Sequence, residues 1–104
     1  MSDTAHVDRF ARDNLPPKEQ WPEFHFDLPE LQYPERMNCA SVLLDDMVRA
    51  GHGERVAIHA PDGQCSYAQL LAQANRIANV LVKDMRLKPG NRVLLRGPNN
   101  PMMA

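Results

Sequence analysis

Ser66-Tyr67-Ala68-Gln69-Leu70-Leu71-Ala72-Gln73-Ala74-Asn75-Arg76-Ile77-Ala78-Asn79-Val80-Leu81 is the stretch from which the fold is read. Ser66 and Gln69 stand three apart, the spacing at which a hydroxyl and an amide side chain satisfy each other's backbone N–H at a helix start. Behind them Leu70, Ala74, Ile77, Ala78, Leu81 and Met85 recur at helical spacing, with Gln73, Arg76, Asn79, Lys83 and Asp84 mostly opposite. A long amphipathic helix is predicted, closed by Pro89-Gly90.

Working outward, Val56-Ala57-Ile58-His59-Ala60 reads as a strand that turns through Pro61-Asp62-Gly63 and returns through Gln64-Cys65-Ser66. Upstream, Asn38 is placed to cap a helix over Cys39–Ala50. Ala40, Leu43, Leu44, Met47 and Val48 form its apolar face, and Gly51 stops it in a left-handed conformation. Downstream, Arg92-Val93-Leu94-Leu95-Arg96 reads as a further strand. Gly97-Pro98-Asn99-Asn100-Pro101 breaks it, and Asn100 can cap a helix that Met102 and Met103 begin. Before residue 38 the prolines crowd together. Trp21, Phe24, Phe26, Leu28, Leu31 and Tyr33 alternate with Pro22, Pro29 and Pro34, as in an extended arm that lays apolar side chains on another surface. Residues 1–14 show no clear period and are expected to be mobile or held only by a neighbouring part of a larger protein.

Twelve Lys+Arg balance thirteen Asp+Glu in 104 residues, and no basic patch with interleaved aromatics appears, which disfavours nucleic acid as a partner. No apolar run approaches the roughly 20 residues that cross a bilayer, and Met1–His6 lacks the features of a secretory signal. A soluble cytoplasmic protein without a membrane partner is expected. Cys39 and Cys65 are isolated and read as packed thiols.

Three stretches together resemble the opening of the adenylate-forming enzymes, the group of acyl-CoA synthetases, luciferases and peptide-synthetase adenylation domains. They are Ser66-Tyr67-Ala68-Gln69-Leu70, Ala74 through Leu81, and Leu87-Lys88-Pro89-Gly90-Asn91-Arg92-Val93-Leu94-Leu95, with Asn91 where the family more usually carries Asp. Phe10 through Pro17, Leu28 through Pro34 and Arg96 through Pro101 are similar to the flanks of benzoate- and 2-aminobenzoate-CoA ligases. The similarity spans nearly all of this chain and only a minor leading part of such an enzyme.

The resemblance implies an α/β fragment of the large domain, built from arm, helix, β-hairpin, long helix and strand. Residues 1–37 would be the proline-rich arm and 38–104 the truncated start of the AMP-binding large domain. The parent would be an aryl-CoA ligase that adenylates a carboxylate with ATP and Mg²⁺ and passes the acyl group to coenzyme A. Its partner here would be the remainder of the ligase, with a homodimer as some relatives suggest. None of the family's functional motifs falls on a residue of this chain. The resemblance therefore implies no catalytic, cofactor-binding or metal residue here, and a structural role. The rival reading is a free-standing α/β interaction module.

His6, His25, His52 and His59 with the two cysteines lack the close pairs that zinc needs. Cys65 with His59 could pair as nucleophile and base across the hairpin, but no orienting group is suggested. Gly51-His52-Gly53 and Gly90 fit turns, not phosphate loops. Met102 and Met103 fit core filling. The loop Gly97–Pro101 follows a strand end, where α/β proteins place ligands; a capped turn is the plainer reading.

Overall fold

The computed structural model describes residues 4–104; residues 1–3, part of the stretch expected to be mobile and of the Met1–His6 segment, lie outside them. The chain divides into two compact units, one of residues up to Met37 with Lys88–Arg92, the other of Asn38–Leu87 with Val93–Ala104.

The second unit holds the predicted helix–hairpin–helix. Asn38 caps the first of these helices, α2 (residues 39–52), its Oδ1 accepting the Ser41 N–H at 3.2 Å. Two wide, π-type turns, Ser41–Asp45 and Val48–His52, lie within α2. Gly51 takes the left-handed conformation expected of it, at φ 86°, and breaks the helical path there, although the wide turn closes only at His52. Strand β1 (Val56–Ala60) and strand β2 (Gly63–Ser66) pair antiparallel, with Ala60 opposite Gly63 and a bulge between Val56 and Ile58. Ser66 then starts α3 (Tyr67–Asn79). The Gln69 N–H donates to Ser66 Oγ at 3.2 Å, and the Ser66 N–H donates to Gln69 Oε1 at 2.9 Å, completing the capping box. A further wide turn, Val80–Asp84, prolongs α3, and Arg86 ends it at φ 55°. The segment after α2 docks on the start of α3 through Ala68 N–H to Gly53 O at 2.9 Å and Tyr67 N–H to Arg55 O at 3.0 Å.

One predicted element is corrected. Arg92–Arg96 is not a strand: among the described residues the sheet has two strands, β1 and β2, which pair with each other. A strand exists only where a neighbour takes up its backbone N–H and C=O groups, and 92–96 meets none. Its side chains show the same lack of cover, Leu94 being 91% and Leu95 70% exposed. No described residue is buried. The apolar stripe of α3 is half covered at Leu70, Ala74 and Leu81 but open at Ile77, and the face of α2 is open at Leu43, 65% exposed.

The first unit also departs from expectation. The arm is not simply extended, since its prolines break it into short turns. Helix α1 (Phe10–Asp13) is joined by an Arg9–Asp13 ion pair at 3.1 Å. Lys18–Gln20 and Pro29–Leu31 are single 3₁₀ turns. The Trp21 indole N–H donates to Pro16 O at 2.7 Å. Phe26 stacks on Phe24 at 5.9 Å and meets Tyr33 edge-on at 6.0 Å. The aromatics pack on each other yet stay about half exposed.

Ser66→Ala removes one half of the capping box. It is expected to cost about 1 kcal/mol, read as faster hydrogen exchange at the Gln69 amide, whereas Ser66→Asp retains most of the protection. Equal exchange in wild type and Ser66→Ala would show that the cap does not hold α3.

Candidate functional site

The most closely built polar constellation lies in the first unit, where residues 7–10 meet Lys88–Arg92. Pro89 and Gly90 form a turn at which the N–H groups of Val7 and Asp8 both donate to Pro89 O, at 2.9 and 3.0 Å. Gly90 sits at φ 94°, and a Cβ there would lie 2.0 Å from Asp8 O. Glycine is therefore required twice, by its dihedral and by the close approach of a second backbone.

Asp8 is the centre of this cluster. Its Oδ1 accepts the Phe10 N–H at 3.0 Å. Its Oδ2 accepts from Asn91 Nδ2 at 2.8 Å and from Arg92 Nη1 at 2.7 Å. The Arg92 guanidinium also lies over the Phe10 ring, 4.8 Å from its centre. The Phe10 N–H first, then the Asn91 amide and the Arg92 charge, hold the Asp8 carboxyl below its ordinary range. With its oxygens engaged by three donors, Asp8 has the geometry of a clasp and not that of a general base. The pattern reading missed this clasp, because residues 1–14 lack periodicity. The one signal was local: Pro89-Gly90 marks a turn, and Asn91 departs from the usual Asp.

The paired thiol and imidazole do not come together. His59 stands opposite Gln64, whose Nε2 lies 3.2 Å from His59 Nδ1, while Cys65 stands opposite Ile58. Adjacent strand residues point to opposite faces, so Cys65 and His59 share no reaction centre. The Cys65 thiol instead donates to Ser66 O at 3.5 Å.

In the loop after 92–96, Asn100 Oδ1 accepts the Met103 N–H at 3.1 Å, and Pro101–Met103 forms one 3₁₀ turn. This is the capped turn of the plainer reading, although no strand precedes it. Pro101, Ile58, Asp62, Gln64 and Cys65 border an open depression of about 170 Å³, below the roughly 300–1,000 Å³ of small-molecule pockets. Among the described residues no three His, Cys, Asp or Glu side chains gather as a metal site. No helix of the described residues is long and apolar enough to cross a membrane.

Residues 45–104, more than half of the chain and reaching from α2 through the hairpin and α3 to the Asn100 turn, match the family described as AMP-binding enzyme. The chain belongs to the AMP-binding enzyme family. Within it, acetyl-coenzyme A synthetases of Mycobacterium tuberculosis (strain ATCC 25618 / H37Rv) and Mycobacterium bovis are each 41% identical over 71 residues, covering 62% of this chain and 11% of the relative. The acetyl-coenzyme A synthetase of Burkholderia lata is 42% identical over 67 residues, covering 60% and 10%. The chain thus spans about a tenth of the length of the curated relatives it matches. No solved structure matches it.

The direction of the Asp8 shift sets a pH dependence. A carboxyl whose pKa falls on folding stabilises the folded state above its unfolded value, about 3.9, and loses that contribution as pH drops through the lower folded value. Protection of the Val7 and Asp8 amides is expected to be constant from pH 7 to about 5 and to fall below about pH 4. Asp8→Asn should flatten that acid limb; an unchanged limb would place the titrating group elsewhere.

Proposed function

We propose that this chain is the leading, structural portion of an acyl-CoA synthetase, an enzyme that activates a carboxylate with ATP and Mg²⁺ and transfers the acyl group to coenzyme A. The observation that carries the reading is the family match over residues 45–104 on a unit whose helices and hairpin leave their apolar faces uncovered. Each fully covered leucine contributes roughly 1.5–3 kcal/mol, so Leu43, Leu94 and Leu95 have much to gain from a second layer supplied by the remainder of the ligase. The proposed partner is that remainder, in a cytoplasmic enzyme that forms a homodimer.

For the acyl group we favour an aromatic acid of the benzoate or 2-aminobenzoate class. Support comes from residues 10–17, 28–34 and 96–101, which resemble the flanks of such ligases. Acetate is the second reading, favoured by the name that the matched relatives bear.

Pyrophosphate release tests both. The 104-residue chain with ATP, Mg²⁺, coenzyme A and any of the three acids is expected to release none; turnover by it would overturn the structural role. In an enzyme that carries this chain together with a complete AMP-binding domain, kcat/KM for benzoate or 2-aminobenzoate is expected to exceed that for acetate. The reverse order would replace the aromatic assignment with the acetate one.

A further inference from the structure

We propose that positions 8 and 91 form a coupled latch that seats the segment before α1 on the Lys88–Arg92 turn, with the uncharged amide at 91 as the element that lets it close. Asn91 works in two directions at once. Its Oδ1 accepts the Lys88 N–H at 2.8 Å, which closes the turn around Pro89 and Gly90. Its Nδ2 donates to Asp8 Oδ2 at 2.8 Å. An ionised carboxylate can perform the first task but has no hydrogen for the second.

An acid at 91 would keep the turn and set two carboxylates face to face, where like charges disfavour each other's ionised form. Arg92, 2.7 Å from Asp8 Oδ2, would then be one cation between two anions. The latch therefore needs one amide and one carboxylate, and the two positions have to be chosen together. The reversed arrangement restores the hydrogen bond between the two positions but leaves Arg92 Nη1 without its acceptor on residue 8, where an amide nitrogen would replace Oδ2. An amide at position 8 can accept the Phe10 N–H through its oxygen and donate its hydrogen to a carboxylate at 91. That carboxylate in turn accepts the Lys88 N–H, as Asn91 Oδ1 does.

The consequence of closure is local. When the latch holds, Val7 and Asp8 lie with their N–H groups on Pro89 O, and the Gly90 backbone packs against Asp8 with no room for a side chain. Opening frees these contacts together, while the capping box of α3 shares no partner with them. This inference stands apart from the acyl-CoA synthetase reading, as it uses no substrate and no reaction.

Hydrogen–deuterium exchange of the intact protein, read by mass spectrometry near neutral pH, tests it. Peptides covering residues 4–13 and 86–96 report the latch, and a peptide over 67–79 reports α3. Asn91→Asp is expected to speed exchange at residues 7–10 by about threefold to tenfold, the range for losing one charge-assisted hydrogen bond at a partly exposed site. Asp8→Asn alone is expected to speed it as well, and the double variant Asp8→Asn/Asn91→Asp to exchange more slowly than either single variant, since the 8–91 hydrogen bond is regained. Residues 67–79 should exchange alike in all four proteins. Unprotected residues 7–10 in wild type, wild-type protection in Asn91→Asp, or a double variant that exchanges no more slowly than either single change would each overturn the latch. So would a rise shared equally by residues 67–79, which marks general unfolding.

Discussion

Leu94 and Leu95 stand in water because no second layer among the described residues is set against them. The same shortage acts on Leu43 of α2, Ile77 of α3 and the hairpin, each with an apolar face and no described residue fully buried behind it. Domains are ordinarily stable because two layers of secondary structure close on one core. Among the described residues the elements of one layer are formed and no closing layer covers them. What defines the local structure is therefore hydrogen-bond chemistry at the ends of elements: Asn38 on α2, the Ser66–Gln69 box on α3, Asn100 on the last turn. Such caps contribute about 1 kcal/mol each, enough to decide where a helix begins and too little to replace a core.

Membership of the AMP-binding enzyme family gives that imbalance a physical setting. A stretch spanning about a tenth of its matched relatives can carry well-specified helices and a hairpin while the surfaces they present remain open. In the first unit the corresponding role falls to Asp8. Its carboxylate gathers a backbone N–H, an amide and a guanidinium from two stretches more than eighty residues apart in sequence. Gly90 lets the backbones approach closely enough for that to happen.

Elements governed by neighbours in sequence were legible from the residues. The capping box of α3, the hairpin turn between Ala60 and Gly63, the Asn38 cap and the left-handed Gly51 each depend on side chains and backbone within a few positions, so spacing alone reveals them. The 92–96 segment was misread for the converse reason. Val93, Leu94 and Leu95 have strand-like composition, but pairing depends on a partner that no local pattern can supply. The clasp was hidden as well. Asn91 stood out as a departure from Asp, yet its partner, Asp8, lies in a stretch with no periodicity, and nothing in the spacing of either predicts their meeting. Cys65 and His59 show the same limit in reverse, close in sequence but directed apart by a register that sets His59 against Gln64.

By itself, then, the sequence determined the helices, the hairpin and their caps, because these follow from short-range sterics, hydrogen bonding and periodicity, and it carried the motifs on which the family resemblance rests. Only the tertiary structure decided that Asp8 closes on Asn91 and Arg92, that the Phe24, Phe26 and Tyr33 rings pack on one another, and that residues 92–96 remain unpaired. The clasp joins groups more than eighty residues apart and the 92–96 segment lacks a partner that no local window supplies, while the ring contacts, though near in sequence, depend on turns that the residue pattern does not set.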